Sequence, residues 1–89
     1  MRLVPQAGSL YWVDTTILPP GDPEAQRLVV VVDVPETVDG TIVVVAKSGV
    51  DGWSRRQPVQ SGMWTSATVV PAGVLAGDVL AEVVSRFGP

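Results

Sequence analysis

The chain has 89 residues, a formal net charge of −3, 46% apolar and 17% charged residues, and neither Cys nor His. That length holds one domain, residues 1–89, and the composition is that of a folded globule rather than a disordered tail. The missing Cys and His exclude disulfides, a Cys/His zinc site and every catalytic arrangement built on a thiol or an imidazole, so no metal or cofactor is expected.

Residues 9–14 (SLYWVD) read as the first strand, with Leu10 and Trp12 on one face and Tyr11 and Val13 on the other. Thr15 to Gln26 follows as a loop whose three prolines and one glycine prevent regular structure through its middle. A loop of that length in so small a domain is either functional or simply surface. Residues 27–34 (RLVVVVDV) read as a central strand covered on both faces, and residues 41–47 (TIVVVAK) as a second. The turn at 35–40, opened by Pro35 and ended by Asp39-Gly40, makes the two an antiparallel hairpin. Ser48-Gly49 and Asp51-Gly52 signal turns. Gln57 to Gln60 reads as a short edge strand carrying Pro58. Residues 65–71 (TSATVVP) read as a further strand, with turns at Gly73 and Gly77. In the tail, Asp78 suits a helix cap while Val83-Val84 suits a strand. Val occurs 19 times against six Leu, which favours pleated surfaces. The fold expected is mainly β, a small barrel of five to six strands, closed or partly open.

The longest unbroken apolar runs are Leu28 to Val32 and Ile42 to Ala46, too short to span a membrane, and the N-terminus lacks the apolar core of a signal peptide. A cytoplasmic protein with no membrane partner is the expectation. The acidic balance means that binding to nucleic acid would require a local basic patch.

Three sets of residues stand out. Arg27 follows the long loop, where its guanidinium either grips a phosphate or merely keeps a strand end solvated. Ser48 ends the other strand of the hairpin, next to Lys47, so Arg27 and Ser48 are expected to be neighbours and together to form an oxyanion clamp. The plain reading of Ser48 is a turn residue. Trp53, Arg55, Arg56 and Trp64 form the basic-aromatic set. It suits stacking on RNA bases, binding a protein partner, or covering the end of a core. The nine carboxylates are scattered and suggest neither a metal cage nor an acid/base couple.

The order of these features resembles the MazF/PemK family, the toxins of bacterial toxin–antitoxin pairs. The resemblance runs through Gly8-Ser9-Leu10-Tyr11-Trp12-Val13-Asp14, the loop with Pro19-Pro20-Gly21, Arg27 with the aliphatic strand Leu28 to Val32, Ile42 to Ser48, and Ser66-Ala67-Thr68-Val69-Val70. It covers residues 8–87 and is best in the first half. It implies an SH3-like β-barrel and a growth-inhibiting endoribonuclease that cleaves single-stranded RNA without a metal, by attack of a 2′-OH on the adjacent phosphate. It also implies catalytic roles for Arg27 and Ser48, an antitoxin partner and a homodimer. Leu28 stands where the family has Pro, and the chain, ending at Pro89, is expected to lack the family's C-terminal helix. The alternative is an inactive barrel of the same type that inhibits growth by binding a cellular protein.

Overall fold

Alternation along the strands separates the side chains into two apolar sets, and the fold follows from burying both. The computed structural model describes residues 4–36, 40–48 and 52–87. Strands β1 (Ser9–Asp14), β2 (Gln26–Asp33), β3 (Thr41–Ser48), β4 (Gly52–Gln60) and β5 (Val69–Val74) form one sheet in the order β4-β3-β2-β1-β5. Every neighbouring pair is antiparallel. Short 3-10 turns follow β1 (Thr15–Ile17) and β4 (Ser61–Met63), and helix α1 spans Gly77–Phe87. Among the described residues β4 and β5 each keep one unpaired edge, so the sheet does not close on itself. Pro58 lies in β4 and Pro71 in β5, the two edge strands.

One face buries Tyr11 and Val13 of β1, Val29 and Val31 of β2, and Ile42, Val44 and Ala46 of β3. Trp64 closes this core at 0% exposure, its ring meeting Tyr11 edge-on at 4.9 Å between centroids. The other face buries Val30, Val32 and Val45 beneath α1. Leu80, Val83, Val84 and Phe87 form the helix's apolar stripe at helical spacing, packed against that second core. Two covered faces explain why β2 and β3 read as continuous valine runs.

The tail is thus a helix, the first of the two readings open to it, and not the strand that Val83-Val84 suits. Val costs a helix only a few tenths of a kcal/mol, roughly 0.7 at most, and the buried stripe outweighs that. Asp78 in the first turn and Arg86 in the last suit the helix dipole. Gly77 begins the helix and Gly73 lies inside β5, so neither is the turn expected. The strand expected over 65–71 begins only at Val69. Thr68 Oγ1 donates to the Met63 carbonyl at 2.5 Å, and the Ala67 N–H donates to Thr65 Oγ1 at 3.2 Å. These local bonds hold 66–68 in a turn. β4 starts five residues before the expected Gln57. Part of the turn at 35–40 and the Gly49 and Asp51 turn signals lie outside the described residues.

Gly8 ties the two layers together. Its N–H donates to the Val31 carbonyl at 2.8 Å and its own carbonyl accepts from the Leu75 N–H at 2.9 Å. Its φ is +89°, and a Cβ there would stand 3.0 Å from Leu80 Cδ2. Gly8→Ala is therefore expected to destabilise the fold by about 1–2 kcal/mol, read as a lower urea midpoint.

Candidate functional site

The loop between β1 and β2 is irregular but tied down. Asp14 caps its first turn, accepting from the Thr16 N–H and the Thr16 hydroxyl, both at 2.9 Å. Those two bonds, the backbone one first, hold the Asp14 carboxyl below its ordinary range. The Thr15 N–H donates to the Ala25 carbonyl at 3.1 Å, and Thr15 Oγ1 donates to the Glu24 carbonyl at 2.5 Å, closing the loop at its base. Ile17 and Leu18 are buried in the first core and anchor its near side.

The far side carries Asp22. Its Oδ2 accepts from Arg27 Nε at 2.9 Å and its Oδ1 from Arg27 Nη2 at 2.5 Å, a two-pronged ion pair. Asp22 Oδ1 also accepts from the Glu24 N–H at 2.9 Å. The Arg27 side chain is 28% exposed and that of Asp22 17%. The Arg27 bonds, then the Glu24 N–H, hold the Asp22 carboxyl below its ordinary range, and Asp22 in turn raises the Arg27 guanidinium. Five residues separate the partners in sequence, so the pair holds the loop against the start of β2 and fixes the direction of the guanidinium.

This pair forms one wall of a cleft of about 450 Å³ between the loop residues Pro19 to Pro23 and the ends of β2, β3 and β4. Val29 pairs with Ala46, and the same register two residues on sets Arg27 opposite Ser48. Both line the cleft, with Lys47 and Arg55. Among the described residues, three cations thus stand against the single carboxylate of Asp22. Ladder pairing skips from Lys47–Trp53 to Val45–Arg56, so Ser54 and Arg55 together oppose Ala46. That bulge puts two consecutive residues, rather than one, on the cleft wall. The buried Ser54 hydroxyl has no hydrogen-bond partner among the described residues. The cleft thus presents a fork of guanidinium N–H groups, two hydroxyls and two further cations, donor types that suit an oxyanion.

The basic-aromatic set does not act as one cluster. Trp64 is entirely buried and offers no surface for stacking or docking; it is core, because its ring fills the space beside Tyr11. Trp53 belongs to the second core, on the helix side, half-buried under Lys47, whose Nζ lies 4.9 Å from its ring centroid. Arg55 lines the cleft; Arg56, paired with Val45, is exposed and does not. Asp22 and Ser54 went unseen in the sequence. Asp-Pro-Glu five residues before an Arg was a signal for the first; nothing marked the second, which depends on the bulge.

The ion pair makes a prediction about acid. Asp14 and Asp22 have lowered pKa values in the folded state. Between those values and the unfolded value of about 3.9, the unfolded chain binds more protons. Stability is therefore expected to be constant above about pH 5 and to fall as pH drops through about 4. Asp22→Asn should flatten part of that fall, as read by melting temperature from pH 7 to 2.5.

Among the described residues no group of three Asp or Glu could hold a metal ion, and no helix is long and apolar enough to cross a membrane. No protein-family model, no curated protein and no solved structure matches this chain.

Proposed function

We propose that the protein is a growth-inhibiting, metal-independent endoribonuclease of the MazF/PemK type that cleaves single-stranded RNA in the cleft between the β1–β2 loop and the ends of β2, β3 and β4. The observation that carries this reading is the convergence of Arg27, Ser48, Lys47 and Arg55 on one cleft. The strand order β4-β3-β2-β1-β5, with a 3-10 turn before the last strand, supports reading the sheet as an SH3-like barrel left open between β4 and β5.

In this reading a ribose 2′-OH attacks the neighbouring phosphorus. A bond from O2′ to phosphorus forms, the bond from phosphorus to O5′ breaks, and the products are a 2′,3′-cyclic phosphate and a 5′-OH. The proton leaving O2′ goes to solvent, and the departing O5′ takes one from solvent. Arg27 remains charged and stabilises the extra negative charge on the phosphorane oxygens. Ser48 donates to one of those oxygens. Asp22 positions the Arg27 fork; a carboxyl whose pKa is lowered is a weak proton acceptor at neutral pH.

The experiment is cleavage of single-stranded RNA in EDTA by wild type and Arg27→Ala, with circular dichroism of both. Cleavage by wild type alone supports the reading; intact RNA with both proteins overturns it. A second reading has its own observation: Asp22 already engages Arg27, so the pair is satisfied without a ligand. A barrel that inhibits growth by binding a cellular protein would leave RNA intact and would stop growth equally with either form.

A further inference from the structure

Strand alternation gives the cleft a counterpart on the opposite face of the sheet. Arg27 and Leu28 are consecutive, so when Arg27 lines the cleft Leu28 points to the helix side. Trp12 pairs with Leu28 and with Val70, and Lys47 pairs with Trp53. The β2–β3 register sets Leu28 opposite Lys47. One row therefore crosses the whole sheet as Trp53, Lys47, Leu28, Trp12 and Val70. Helix α1 covers only part of it: Trp12 is 45% and Val70 53% exposed. Where the row passes beneath the start of α1 there is a shallow groove of about 280 Å³, lined by Leu10, Leu28, Lys47, Trp53, Leu75 and Val79. Among the described residues its walls are apolar except for Lys47, and Lys47 also lines the cleft.

We propose that this groove is a nucleobase-binding subsite, in which the base of a nucleotide next to the phosphate held by Arg27 packs against Trp53 and Leu28 while Lys47 meets the same phosphate. The inference rests on the RNA-cleaving reading of the cleft. Three features select a base as the occupant. The groove has an aromatic wall and aliphatic ones, which suit a flat apolar surface. Its one charge among the described residues is positive, which matches the phosphate any base carries with it. It joins the oxyanion cleft through a shared side chain, Lys47. Lys47 resting on the Trp53 ring keeps the ammonium at the junction until a ligand arrives.

The test uses the full chain, a dinucleotide with a 2′-deoxy sugar before its phosphate, which cannot be cleaved, and inorganic phosphate. In NMR titrations the dinucleotide is expected to move the Arg27 Nε–H and the methyls of Leu28 and Val79, which line only the groove; phosphate should move the Arg27 Nε–H and leave those methyls in place. Trp53→Ala should weaken dinucleotide binding about 5- to 150-fold and leave phosphate binding unchanged. Trp53→Phe, which keeps an aromatic face, should recover most of the loss. Since Trp53 also packs on the second core, Val79→Trp gives an independent check: it fills the groove from the helix and should weaken the dinucleotide alike.

Dinucleotide affinity that stays the same in the groove variants but is lost in Arg27→Ala overturns the subsite and leaves the reading of the cleft standing. No binding of either ligand by wild type overturns both. A concentration-dependent shift of Trp53 without ligand, with a dimer in sedimentation, gives the groove to a second copy of the chain and overturns the subsite as well.

Discussion

Arg27→Ala is expected to lower the rate of RNA cleavage by about 10²- to 10³-fold, the usual cost of deleting one preorganised donor to a developing oxyanion. The loss should appear in kcat rather than KM, because the bond matters most when charge builds on the phosphorane. Arg27→Lys keeps the charge but loses the fork that Asp22 holds, so it should recover only part of the rate. Neither change should unfold the protein. Arg27 belongs to neither buried core, so losing its ion pair should lower the melting temperature without unfolding the chain. Initial rates in EDTA, with melting curves of each variant, separate a chemical loss from a structural one.

Trp64→Ala is expected to have the largest effect on stability. The side chain is fully enclosed, packs edge-on against Tyr11 and joins the turn after β4 to the first core. Emptying that volume costs about 3–5 kcal/mol. A domain of this size has little more than that in total, so a substantial fraction of the variant should be unfolded at 37 °C. Its melting temperature should fall by at least about 12 °C. Trp64→Phe should cost much less. It keeps an aromatic face toward Tyr11 and removes the indole N–H, which is buried and has no partner among the described residues. Urea unfolding measures both.

The first half of the molecule was legible because its signals are periodic. Leu10/Trp12 against Tyr11/Val13, and the valine runs of β2 and β3, state which faces are covered; β1 falls where expected, β2 is shifted by one residue and β3 ends one residue later. The meeting of Arg27 with Ser48 was legible for a related reason: a hairpin sets the start of one strand against the end of the next. The beginning of β4 was not, since Trp53-Ser54-Arg55-Arg56 alternates in nothing and pairs only because β3 offers an edge. The helix stood open against a strand because of its valines, whose local preference yields to packing on the second core. At the site, residue type could not separate a Trp that fills a core from one that faces solvent, and so Trp64 was grouped with Trp53. Asp22 and Ser54 depend on a loop closure and a bulge, which are properties of the assembled sheet.

The two prolines at the rims of the sheet have a consequence for how copies of this protein behave together. Leu28 to Val32 and Ile42 to Ala46 are short, uncharged, β-branched segments of the kind that stack into cross-β fibrils when exposed. In the folded chain both lie at the centre, with strands on either side. The strands that could recruit another molecule are β4 and β5. Pro58 and Pro71 leave each without one backbone donor, and β4 adds the charges of Arg55 and Arg56. The native molecule thus presents poor templates for sheet growth, and its propensity to aggregate is set by how often it unfolds.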